Sequence, residues 1–198
     1  PAQATPFLTR IGLRVLPDAF SVSDTPSLTT YGGKPVPGAF KVDDEGVPAK
    51  DVSLVENGKL VTLLTSRAPQ RKLLQSSGHG RSGNAQAGVF QMKSAQAVPA
   101  AELKQKYLAL LKDQDKEFGY IVRGIGGGGA PALTEAVKVS LDGAETPVRG
   151  LRFAAIAPPT VRNILDVSSE RPLYNFMTPS GDNVSVIGAS SIGGASTL

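Results

Sequence analysis

Residues 52–64 read VSLVENGKLVTLL, two β-rich runs on either side of Asn57-Gly58. Asn and Gly both tolerate positive φ, which the two central positions of a type I′ turn require, so the stretch predicts a tight hairpin. The same signal recurs in residues 136–153. Val137, Val139 and Leu141 alternate before Asp142-Gly143, and Val148, Leu151 and Phe153 follow, which predicts a second hairpin with a wider loop.

The rest of the chain is read outward from these hairpins. In the N-terminal third Pro recurs every few residues, which disfavours helix there. After the first hairpin, Pro99 opens a helix with Leu103, Tyr107, Leu110 and Leu111 at i, i+4, i+7 and i+8, a stripe expected to pack on a sheet. FGYIVRGI, residues 118–125, predicts a buried strand, GGGGAP a loop, and TEAVKVSL another strand. Pro158-Pro159 predicts the start of a short second helix carrying Val161, Ile164 and Leu165, and VSVI, residues 184–187, a late strand. The expectation is one domain over residues 1–198, a piece of a longer protein, of α+β class. It has a mainly antiparallel sheet with one or two helices packed on it.

Composition narrows the chemistry. The 198 residues are 40% hydrophobic and 19% charged, enough to build a core, and the 22 Gly and 15 Pro follow no three-residue period. With no Cys and one His, thiolate sites, cysteine nucleophiles and multi-imidazole metal sites all fall away. No apolar run nears the roughly 20 residues that span a bilayer, so no membrane partner is expected. The 21 Lys and Arg are interspersed with 17 acids, and only Arg67, Arg71, Lys72 and Arg81 cluster, so no nucleic-acid partner is expected either. Zero Cys suits a cytoplasmic location and equally a disulfide-free periplasm; the cytoplasm is the expectation.

Local motifs offer little catalysis. Gly124, Gly126 and Gly129 spell GxGxxG, but consecutive glycines satisfy almost any glycine template and the following residues read as strand. Asp43, Asp44 and Glu45 lack the alternate spacing of a calcium loop and read as turn acids. His79 lies in SSGHGRSGNA, where a lone His is solvated or hydrogen-bonded more often than it is a base. Ser82 lacks the GxSxG setting of a hydrolase nucleophile.

Longer strings say more. VDDEGVPAKDVSLVENGKL resembles a DDEG-turn and ENG-hairpin pattern, and SSGHGR, residues 76–81, resembles the TGN(A/G)RR-like loop that follows it. GYIVRGIGGGG, the PVRG unit at residues 147–150 and DNVSVIGAS at residues 182–190 extend the likeness over about residues 40–190. Together they resemble the TldD/PmbA family, once called modulators of DNA gyrase. The resemblance implies peptide cleavage or maturation, with a peptide or unfolded polypeptide as ligand and a homo- or hetero-oligomer of family members as the assembly. Metallopeptidase members carry zinc on HExxxH and a later Cys; this sequence has neither. The resemblance therefore implies a metal-free, PmbA-like C-terminal domain without catalytic residues or a cofactor of its own. Alternatives are a zinc peptidase whose ligands lie in missing sequence or a partner chain, and a non-catalytic peptide-binding or structural module. The residues it marks for a peptide or interface loop are Gly126, Gly127, Gly128, Gly129, His79 and Arg81.

Overall fold

The computed structural model describes residues 7–68, 70, 73–126, 132–151 and 163–193. A 3-10 turn at Leu8–Arg10 leads into β1 (Phe20–Asp24), whose alternation buries Phe20, Val22 and Asp24 on one face. Short ribbons β2 (Thr30–Tyr31) and β3 (Lys34–Pro35) follow, and then β4 (Val52–Glu56) and β5 (Lys59–Leu60). Between β4 and β5, Asn57 and Gly58 take φ of 47° and 76°, and Val55 faces Leu60 while Glu56 faces Lys59. This is the expected two-residue turn.

Next come β6 (Gly80–Arg81), β7 (Asn84–Ala85), β8 (Val89–Ser94) and the helix α1 (Ala100–Asp113). Leu103 and Leu111 of the expected stripe are buried, and Pro99 sits one residue earlier than expected, at the N-cap. Its ring suits the position because no intrahelical bond asks for that N–H. The Glu170 carboxylate accepts from the Ala100 N–H at 2.9 Å and stands in for a side-chain cap.

After α1 the chain runs through β9 (Phe118–Gly126), β10 (Ala132–Ser140) and β11 (Glu145–Val148), an antiparallel three-stranded sheet. The second hairpin is therefore present. Asp142-Gly143 lies in its turn, with Gly143 at φ 85° and the Asp142 carboxylate accepting from Ala144 N–H at 3.0 Å. Its second strand is shorter than expected, since Leu151 lies beyond β11 and Phe153 lies outside the described residues.

β12 (Ile164–Val167), β13 (Leu173–Met177), β14 (Asn183–Ile187) and β15 (Ser191–Gly193) are the remaining described strands. Here one expectation is corrected: Ile164 and Leu165 belong to a strand paired with β15, not to a helix. The pairing with β15 decides for strand, β-branched Ile164 and Val167 favour the extended backbone, and Val167 is buried in the main core while Leu165 is 54% exposed. The Pro158-Pro159 start and Val161 lie outside the described residues.

The main sheet has six strands in the order β13-β14-β8-β1-β4-β5. Every pairing is antiparallel except β14 with β8, whose parallel alignment needs the long excursion through α1 and β9 to β13. The class is α+β, mostly β. One core cluster gathers Val15, Leu16, Phe20, Val22, Leu54, Val55, Leu60 and Val167, and a smaller one joins Val36, Val89 and Ile187. A loop seated beside Val89 and Asp24 brings the candidate residues together.

Candidate functional site

The three acids of residues 43–45 build a clamp. Asp43 Oδ1 accepts from the N–H groups of Glu45 at 3.0 Å and Val47 at 2.8 Å, closing its own turn, and Oδ2 reaches out to Gly80 N–H at 2.8 Å. Asp44 accepts from Ser82 N–H at 2.7 Å, and Glu45 from Arg67 N–H at 2.6 Å. Each carboxylate thus holds a distant backbone amide, and charged acceptors make these the stronger class of hydrogen bond. The carboxylates are structural and do not form a cation loop.

Asp43 and Asp44 thereby hold Gly80 and Ser82, on either side of Arg81, and His79 sits in the same segment. His79 is fully buried, its ring edge-on to Phe40 at 5.8 Å between centroids. Its Nδ1 lies 2.9 Å from Ser77 Oγ and 3.0 Å from the Ser77 carbonyl oxygen. Nε2 points at Asp24 Oδ2 at 3.6 Å and has no hydrogen-bond partner. Asp24 is equally buried and accepts from Gly88 N–H at 2.7 Å and Val89 N–H at 2.6 Å. Burial pushes Asp24 above the ordinary carboxylate range, the two amides and His79 opposing it. Burial also pushes His79 below its ordinary value, with Asp24 opposing.

Arg81 turns the other way. Its guanidinium lies 4.9 Å from the Phe40 ring centroid, donates to the Asn183 carbonyl at 3.0 Å and pairs with Asp182 at 3.4 Å. Asp182 also accepts from Ser82 Oγ at 2.8 Å, the main cause that holds its carboxyl below the ordinary range. Arg81 thereby stitches β6 to the start of β14.

The expected site residues fall into two places. His79 and Arg81 meet at the clamp beside the six-stranded sheet, His79 enclosed within it. Gly126 ends β9 of the other sheet, and Gly127, Gly128 and Gly129 lie outside the described residues. Gly124 lies inside β9, and the next described element is strand β10, so among the described residues no helix N-terminus follows it to receive a phosphate. Sequence reasoning missed Asp24. The signal was there in FSVSD, where period two puts an acid on the same face as Phe20 and Val22.

Fold and clamp together define the class: a mostly β domain of α+β type in which a DDEG turn grips an HGR loop. The chain belongs to the family described as the PmbA/TldA metallopeptidase C-terminal domain, whose model matches residues 2–190. Among solved structures it is similar to a candidate modulator of a DNA gyrase from Thermotoga maritima. That likeness has 18% identity and a TM-score of 0.63, and it covers 94% of this chain and 42% of that one. It is also similar to TldE from Thermococcus kodakarensis, at 17% identity and TM-score 0.59, over 96% of this chain and 42% of that one. The chain therefore spans less than half the length of these structures. No curated protein matches it.

The family's name implies a metal, and the residues present do not fit zinc. There is no Cys, and the one imidazole has Nδ1 engaged by Ser77 and Nε2 closed in against Asp24. Among the described residues no group of three His, Cys, Asp or Glu is placed to hold an ion. Nor is any described helix long and apolar enough to cross a membrane.

Proposed function

We propose that this chain is the C-terminal domain of a peptide-processing protein of the metal-free, PmbA-like kind. In this reading it lends sheet and loops to a chamber formed with a metal-bearing, TldD-like partner that cleaves or matures an extended polypeptide. The observation that supports it is the donor set. The sequence offers one imidazole and no thiolate, and that imidazole is spent inside the clamp. The hydrolytic centre then belongs to the partner, and this chain's contribution is shape. Gly126, Gly127, Gly128 and Gly129 are its residues of choice for close approach by an extended chain, because no Cβ screens their backbone groups.

Two measurements test this. After dialysis, elemental analysis should find no stoichiometric zinc; one zinc per chain overturns the proposal. Peptide cleavage should need a TldD-like partner and weaken when Gly127 and Gly128 are both replaced by Ala. Cleavage by this chain alone overturns the division of labour.

A further inference from the structure

The hydrogen bonds around His79 favour one tautomer. The Thr65 hydroxyl gives its hydrogen to the Gln75 carbonyl at 2.8 Å and accepts from Ser77 N–H at 2.8 Å. The Ser77 hydroxyl accepts from Thr65 N–H at 2.9 Å and gives its one hydrogen to the Thr65 carbonyl at 3.1 Å. With its hydrogen there, it faces Nδ1 at 2.9 Å as an acceptor. The Ser77 carbonyl, 3.0 Å from Nδ1, can only accept, so Nδ1 carries a hydrogen. Nε2 therefore presents a lone pair to Asp24 Oδ2, with both side chains sealed from water. Two bare acceptors facing each other in the dry interior are unfavourable; one proton between them removes the conflict.

We propose that Asp24 and His79 share one buried proton, and that this proton locks the 77–81 segment against β1 as a pH-sensitive latch. Burial raises Asp24 and lowers His79, and the two directions agree on a protonated carboxyl beside a neutral imidazole. The sign follows. A carboxyl raised above 3.8 stays protonated in the folded chain after the unfolded chain has released its proton, so its contribution is lost as pH rises through the folded value. Loss leaves a net negative charge facing a lone pair. Protonating His79 as well, at the acid end, leaves a buried cation, and its lowered value opposes that step. The other charges facing the imidazole are Asp43, which holds Gly80 N–H from the clamp loop, and Arg81 on its own segment, already paired with Asp182. None can supply the proton between Nε2 and Oδ2. Opening the latch frees the segment that carries Arg81 to β14, so pH reaches the clamp through two side chains.

The chain has one His, so ¹⁵N-imidazole spectra report this ring alone. Titrated from pH 4 to 9, the intact protein should keep Nδ1 protonated throughout, with the Nε2 resonance shifting where the pair loses its proton. At that same midpoint, amide exchange at Gly80 and Arg81 should rise about ten-fold beyond the intrinsic base-catalysed increase. Asp24→Asn offers Nε2 an amide donor with no titrating proton and should abolish the midpoint while keeping the Nδ1–H form. A ring in the Nε2–H form throughout, or exchange that ignores the midpoint, overturns the proposal. Should Asp24→Asn fail to fold, the wild-type titration decides.

Discussion

Around His79, beside the six-stranded sheet, buried carboxylates hold amides far along the chain: Asp43 to Gly80 and Asp24 to Val89, separations of 37 and 65 residues. The sheet of β9, β10 and β11 is tied by pairing between strands that follow one another in sequence. Its ties to α1 are the Tyr107 hydroxyl, which accepts from Tyr120 N–H at 2.9 Å, and Lys104, which meets Glu145 at 2.8 Å. Buried polar ties are worth little net until one is broken, when the orphaned partner bears its whole desolvation cost. Local pairing and exposed ion pairs lack that asymmetry. The clamp region should therefore fail sharply on single substitutions and the other sheet gradually.

Asp24→Ala gives the largest expected effect, because it orphans two buried amides and leaves Nε2 facing a void. Urea denaturation should show a loss of about 3 kcal/mol. A loss below about 1 kcal/mol would erase the contrast between the two sheets. Gly58→Val comes next: φ is 76°, and a Cβ there would press on the Leu16 carbonyl and lie 2.7 Å from the Pro17 oxygen. A loss of about 2 kcal/mol is expected from left-handed strain and crowding, read from the denaturation midpoint. An unchanged midpoint would mean that local turn chemistry does not anchor this edge of the six-stranded sheet.

On the other side of the comparison, Tyr107→Phe deletes the hydroxyl that bridges α1 to β9. About 1 kcal/mol is expected, with faster amide exchange confined to β9 and β10. Loss of the clamp's protection in the same variant would show the two regions to be one cooperative unit. The smallest effect concerns Asp182. Its carboxyl is held low, so its ties to Ser82 and Arg81 are complete above the ordinary value of 3.8 and fade as pH falls through the lower folded value. A carboxyl titration by NMR should place the midpoint below 3.8; a midpoint at or above it would remove Asp182 from the clamp.

Much of the fold was legible in residues whose meaning is local. Asn57-Gly58, Asp142-Gly143 and the stripe from Leu103 to Leu111 each declare an element through turn chemistry or periodicity, and each is found. Ile164 and Leu165 misled because two prolines upstream suggested a helix start, whereas a pairing with β15 about 27 residues later decided for strand. At the clamp, Asp43, Asp44 and Glu45 could be read only as turn acids. Nothing nearby in sequence names Gly80, Ser82 or Arg67 as the amides they hold.

By itself the sequence determined the hairpins, the one long helix, the α+β class, the family likeness and the poverty of metal ligands, since periodicity, φ preference and composition are properties of short stretches. Only the tertiary structure decided the parallel seat of β14 on β8, the enclosure of His79 and the meeting of its ring with Asp24. Those depend on which distant groups share a dry volume, and burial, which turns an ordinary strand Asp into a proton holder, exists only once the chain has closed around it.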